Sequence, residues 1–353
     1  MPCAIRRMLR WSRVALLGCG VVGSAVPGML LAQGPSRPDQ PGTRVLLDAH
    51  NAYPERGRWT DRLARAMATG TPVAIEQDLY WGRTASGAYA PVVAHDDDAL
   101  DGAPTLEAHF FDAVRPLMED ALRRNDRAQW PLVVLNLDFK ENGPPLLDAV
   151  WELLGRHARW LTTTPRTRTP SVREPLQVGP LLVLVGADTA QRRRFHDVVP
   201  VDSALRAFGA MPPAPVPGKD KAARLARTVR LSSATHIPRR ADNYARWVNF
   251  PWSVVERGGQ APAGPWTTAD ATRLRTLVDR AHAMDYWIRF YTLDGFTPTN
   301  DRGWTASYNF GSLRAVATRW RAAQAAGVDF IATDQYEAFA DVRRRVPRAP
   351  AHR

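Results

Sequence analysis

Pro131–Asn142 reads PLVVLNLDFKEN, and Pro72–Trp81 shows the same character in shorter form as PVAIEQDLYW. Successive side chains of a strand point to opposite faces. In the first stretch Asn136, Asp138 and Lys140 therefore share one face, and Leu135, Leu137 and Phe139 share the other. In the second, Glu76 and Asp78 stand together, opposite Ile75, Gln77 and Leu79. Both runs lie between helix-like segments, the setting of parallel strands covered on both faces. Carboxylates buried in that way need compensation, and a divalent cation provides it while leaving several of them facing one another. Glu76, Asp78 and Asp138 are thus candidate ligands of a hard cation, with Lys140 beside them. Oxygen donors without cysteine point to Mg²⁺ or Ca²⁺ rather than zinc.

The alternation extends in both directions. Val45–His50 (VLLDAH) precedes as a strand, and Trp59–Thr69 has helical spacing closed by Gly70. After the Pro72 strand come a polar hairpin-like excursion and Pro91–Asp96 (PVVAHD). A long amphipathic helix over Thr105–Arg124 follows, with Thr105 as its cap. Beyond the Pro131 strand the expected elements are a helix from Pro144 to Leu161, a strand at Leu181–Ala187 and a helix over Gln191–Val198. Then come strands at Ala245–Trp252, Tyr286–Leu293 and Val328–Thr333, with helices over Thr267–Met284 and Ser312–Ala326 between them. No strand is placed between residues 199 and 244, where Gly209–Lys221 is rich in proline. Strand and helix alternate about eight times without a second composition regime, which favours a single (β/α)8 TIM barrel over a doubly wound sheet.

The domain spans residues 45–342, after a linker over 33–44 and before a basic tail over 343–353. Residues 1–32 read as an export signal: Arg6, Arg7, Arg10 and Arg13 form a charged start, and Val14–Leu31 is mostly apolar. A retained anchor and a lipoprotein box at Leu16–Cys19 are the alternative readings. Both cysteines, Cys3 and Cys19, fall in this segment, so a mature chain has no disulfide and no thiolate site. The formal charge of +12 is almost wholly arginine, and no basic run is interleaved with aromatics. Nucleic acid is therefore not an expected partner.

In a barrel, chemistry sits at the C-terminal strand ends, and His50, Asp78, Lys140, Tyr291 and Asp334 fall there. His50 and His95 flank the Glu-x-Asp strand, an arrangement suited to removing a proton at one step and returning it at the next. His109, His157, His196, His236 and His282 sit in helices or loops away from the acidic strands and read as incidental. Lys140 can balance a phosphate or a carboxylate; a plain ion pair with Asp138 is the simpler reading. Of the aromatics near strands, Trp252 and Trp287 read as packing, and Tyr291 is the one with an argued direction.

Five segments occur in order: DAHNAYP (Asp48–Pro54), AIEQDLYW (Ala74–Trp81), VVAHDDDAL (Val92–Leu100), LNLDFK (Leu135–Lys140) and GVDFIATD (Gly327–Asp334). Together they resemble the PLC-like phosphodiesterase superfamily of phosphatidylinositol-specific phospholipases C and glycerophosphodiester phosphodiesterases. The pattern is most similar to the group that includes the altered-inheritance-of-mitochondria proteins. The resemblance implies a metal-dependent phosphodiesterase in which His50 and His95 are the catalytic pair and Glu76, Asp78 and Asp138 hold Ca²⁺ or Mg²⁺. It implies that Asn51 joins the metal site, as in the calcium-dependent phospholipases, and that Lys140 and Tyr291 contact substrate. The implied substrate is a glycerophosphodiester, an inositol phosphodiester or a phospholipid headgroup, with peripheral membrane contact compatible with the last. His50-Asn51-Ala52 stands where glycerophosphodiesterases have His-Arg-Gly, and their Pro-Glu-Asn-Thr is absent, so glycerophosphodiester specificity is not implied. Two other readings compete. One is a barrel that binds a phospholipid headgroup or a glycan without turnover, for which two titrating histidines have no use. The other is a sphingomyelinase-D-like lipase, which shares the Glu-x-Asp and Asp-x-Lys pattern and would carry an apolar rim.

Overall fold

Eight parallel strands close on one another: β1 (Leu46–Ala49), β2 (Val73–Arg83), β3 (Val133–Phe139), β4 (Leu181–Val185), β5 (Phe208–Ala210), β6 (Ala245–Pro251), β7 (Trp287–Tyr291) and β8 (Phe330–Thr333). Neighbours follow chain order, and β1 pairs with both β8 and β2, which closes the ring. This is the (β/α)8 barrel that the alternation predicts. The structure, a computed structural model, describes residues 39–256, 264–297 and 309–345. The expected leader, the first half of the linker and all but the first three residues of the basic tail lie outside the described residues.

Local chemistry explains the outer ring. The helix Thr268–Ala283 opens on a capping box between Thr267 and Asp270 and buries Leu274, Leu277, Val278 and Ala281, one face at helical spacing. The helix Leu313–Ala326 is capped by Ser312 and stops at Gly327, whose φ of 79° is the left-handed conformation that ends helices. These faces pack on the outward side chains of the strands and form the larger core. The smaller core fills the lower half of the barrel interior with Leu46, Ala74, Val134, Leu182, Leu184, Phe208, Ala210, Trp247, Trp287 and Phe330. Every strand contributes to this plug. One period of two further along, the same inward faces change from apolar to polar: Asp48, Glu76, Asn136, Asn249 and Arg289.

Several elements differ from expectation. The Pro91 strand is Tyr89–Val93; it runs antiparallel to Leu79–Arg83 of β2 and lies outside the ring. The long second helix opens with a π-helical turn, Glu107–Phe111, before Asp112–Arg124, and Thr105 Oγ1 does accept from Ala108 N–H at 3.1 Å. The Pro144 helix ends at Arg156, and a 3₁₀ turn covers Ala158–Trp160. The Gln191 helix is a single turn, Thr189–Arg192, continued by a π turn at Arg193–Asp197. The unplaced strand is β5, three residues long and irregular in register where Gly209 and Ala210 meet β6.

Candidate active site

The register of β2 on β3 sets Glu76 beside Asn136 and Asp78 beside Asp138. On the other side, β7 on β6 sets Arg289 beside Asn249. Above the apolar plug these side chains enclose a cavity of about 260 Å³, lined also by His50, Asn51, His95, Lys140, Trp247 and Tyr291. All eight candidates read from the sequence, His50, Asn51, Glu76, Asp78, His95, Asp138, Lys140 and Tyr291, line this one cavity. The remaining described histidines do not. His109 and His236 bond backbone carbonyls of Ala52 and Thr228. His157 stacks on Phe111 and Trp160, and His196 pairs with Asp197. His282 is not remote from acids: its Nε2 lies 2.9 Å from Asp329, just before β8.

Glu76 is 4% exposed and lies between two cations. Its Oε1 is 3.0 Å from Arg289 Nη2, and its Oε2 is 3.3 Å from His50 Nε2. The other ring nitrogen of His50 is 3.1 Å from Asp334, and the Asn51 amide stands 2.7 Å from that same nitrogen. Asn51 takes a left-handed backbone with φ of 53°, donates also to Asp334, and accepts from the Tyr53 hydroxyl through its side-chain oxygen. Its amide therefore faces His50, Asp334 and Tyr53. Asp78 Oδ2 lies 2.6 Å from the Tyr53 hydroxyl and 2.7 Å from Lys140 Nζ. Lys140 Nζ reaches Asp138 Oδ2 at 2.7 Å as well, and Asp138 is half exposed at the mouth. His95 is also open to the mouth, with its side chain 39% exposed and Nδ1 2.8 Å from Asp96.

Sequence reasoning missed Arg289 and Tyr53. Arg289 is 2% exposed and reaches Asp48, Glu76 and Asn249 from the floor. Its one signal is parity, because it shares the inward face of β7 with Trp287 and Tyr291.

The charges are unbalanced towards the negative, and the ionisation of the acids reflects it. Burial, with Asp138 and Glu76 adding to it, raises Asp78 to about 8 in spite of Lys140. Burial and the neighbouring Asp334 raise Asp294 to about 7. Burial alone would lower His50, but Glu76 and Asp334 outweigh it and carry the imidazole to about 10. Glu76, Asp78 and Asp138 offer ligand oxygens that lie within 4.8 Å of one another. Three hard donors this close, in a site short of positive charge, suit a divalent cation. His50, Asp294 and Asp334 form a second group of the same compactness.

No family model and no curated protein matches the chain. Among solved structures it is similar to a glycerophosphoryl diester phosphodiesterase from Parabacteroides distasonis, at 13% identity and a TM-score of 0.40 over 87% of this chain and 89% of that one. It is similar also to a calcium-dependent phosphoinositol-specific phospholipase C from a Pseudomonas species. The myoinositol-complex structure of that protein gives 13% identity and a TM-score of 0.41, over 83% of this chain and 89% of that one. A second crystal form of the same protein gives 13% and 0.42, over 86% and 92%.

Proposed function

We propose that this chain is an exported, metal-dependent phosphodiesterase of the PLC-like superfamily, acting on a diester with a small polar headgroup. One observation carries the reading. Two imidazoles, three clustered carboxylates and a lysine, found in the sequence as an ordered set of motifs, line one cavity at the C-terminal ends of the strands. Glu76, Asp78 and Asp138 would hold Ca²⁺ or Mg²⁺, and Asn51 completes the set that the resemblance implies. Such a cation polarises phosphoryl oxygens and makes a nearby hydroxyl easier to deprotonate.

The side chains divide the remaining work. His50 and His95 are the proton carriers: one takes the proton of the attacking hydroxyl, and the other returns a proton to the leaving alkoxide. Asp334 fixes the ring of His50 by accepting from Nδ1, and Lys140 offers its ammonium to the phosphate. A hydroxyl of the substrate next to the esterified carbon is the favoured nucleophile, because it is already held near phosphorus and gains the advantage of proximity. Tyr291 walls the headgroup at the end of β7. Export rests on the arginine-then-apolar leader. No helix among the described residues is long and apolar enough to cross a membrane.

The test is a panel of inositol, glycerol and choline phosphodiesters assayed with Ca²⁺, with Mg²⁺ and with a chelator. Turnover should need the cation. His50→Ala and His95→Ala should each lose activity and still show the melting shift that the cation gives. Undiminished turnover in chelator, or in either histidine variant, would overturn the assignment.

A further inference from the structure

Two permanently charged cations line the cavity, and their surroundings differ. Arg289 is enclosed at the floor: Nε bonds Asp48, Nη1 bonds Asn249 at 3.0 Å, and Nη2 lies 3.0 Å from Glu76 as an ion pair. Lys140 is held by its backbone, whose N–H donates to Leu79 O at 3.0 Å. Its ammonium spans Asp78 Oδ2 and Asp138 Oδ2 at 2.7 Å each, near the mouth, with the side chain 22% exposed. These are two of the three carboxylates that would hold a divalent cation. A lysine head is a point charge on a flexible four-carbon stem, free to change partners without moving the strand.

We propose that Lys140 couples cation binding to anion binding: it is the internal counter-charge of the Asp78–Asp138 pair, and a divalent cation that takes those carboxylates releases the ammonium to a phosphate-class anion. The inference rests on the metal reading of the same site. Before release the ammonium competes with the cation for Asp78 and Asp138 and repels it. After release it stands beside the cation with an unused charge and three donors, which an anion satisfies. Such coupling is reciprocal, so a phosphate anion must tighten the cation as much as the cation tightens the anion. A lysine serving only to orient Asp138 for the metal gives the opposite sign, because its removal then weakens cation binding.

Titration calorimetry of the whole chain with Mg²⁺, alone and with inorganic phosphate, separates these cases without reference to turnover. In the wild type, phosphate should tighten Mg²⁺ by about fivefold or more, within the usual range for coupled sites. In Lys140→Gln, Mg²⁺ without phosphate should bind several-fold tighter than in the wild type, and the gain from phosphate should shrink. Lys140→Met provides a second neutral variant should glutamine disturb the strand end. Lys140→Arg keeps the charge and should bind Mg²⁺ no tighter than the wild type. Equal or weaker Mg²⁺ binding in a neutral variant with wild-type circular dichroism would overturn the coupling and leave the metal site standing. Flat isotherms for wild type and variants alike, with Mg²⁺ and with Ca²⁺ in its place, would remove the metal site and the coupling together.

Discussion

Tyr53 shows how a residue outside the strand pattern completes the site. It is fully buried, and its one hydroxyl proton is shared between Asp78 at 2.6 Å and Asn51 at 2.7 Å. Tyr53→Phe removes that donor without opening a cavity. Divalent-cation affinity should then fall about 10–100-fold, the usual cost of losing a partner that orients a ligand. Titration calorimetry checks this, and an unchanged affinity would show that the Tyr53 hydroxyl does not orient Asp78 for the cation. The contrast with Glu76 and Asp78 explains which residues could be read in advance. Those two stand on one strand at a spacing of two, so parity alone puts them together. Tyr53 lies in the turn after β1, where parity stops. Arg289 meets Asp48 across 241 positions, and no local rule connects an arginine in an aromatic strand with an aspartate in another.

At the scale of elements, seven barrel strands stand out as apolar runs between helical segments, whereas β5 is three residues long and contains a glycine. A run that short has no measurable period, and the prolines that follow it resemble a loop. Its glycine is nonetheless required. A Cβ on Gly209 would sit 2.2 Å from Tyr244 Cε1, a buried ring that cannot withdraw. Gly209→Ala should therefore destabilise the chain by about 1–3 kcal/mol, the ordinary cost of overpacking. Urea unfolding measures it, and a variant within a few tenths of a kcal/mol of the wild type would mean that Tyr244 has room to turn. The helix boundaries that differ have a related cause: π and 3₁₀ turns continue the apolar face of a helix, so periodicity runs past the point where α geometry ends.

The whole molecule joins stability to pH through histidines that do not line the cavity. Burial lowers His236 below its usual 6.5, with the guanidinium of Arg273 acting in the same direction. Burial lowers His109 likewise. Below about 6.5 the unfolded chain then binds more protons than the folded one, so the contribution of these groups is intact at neutral pH and is lost as pH falls towards their folded values. Relative to the wild type, His236→Gln should lose less stability between pH 7.5 and 5, as guanidinium unfolding at each pH would show. Identical slopes would place the protonation of His236 elsewhere. The apolar plug of Leu46, Val134, Leu182, Phe208, Trp247, Trp287 and Phe330 has a consequence for traffic. Among the described residues it closes the floor of the proposed reaction chamber, so reactant and product share the door at the C-terminal strand ends. A product still in the chamber excludes the next reactant, and the inhibition it exerts should be competitive.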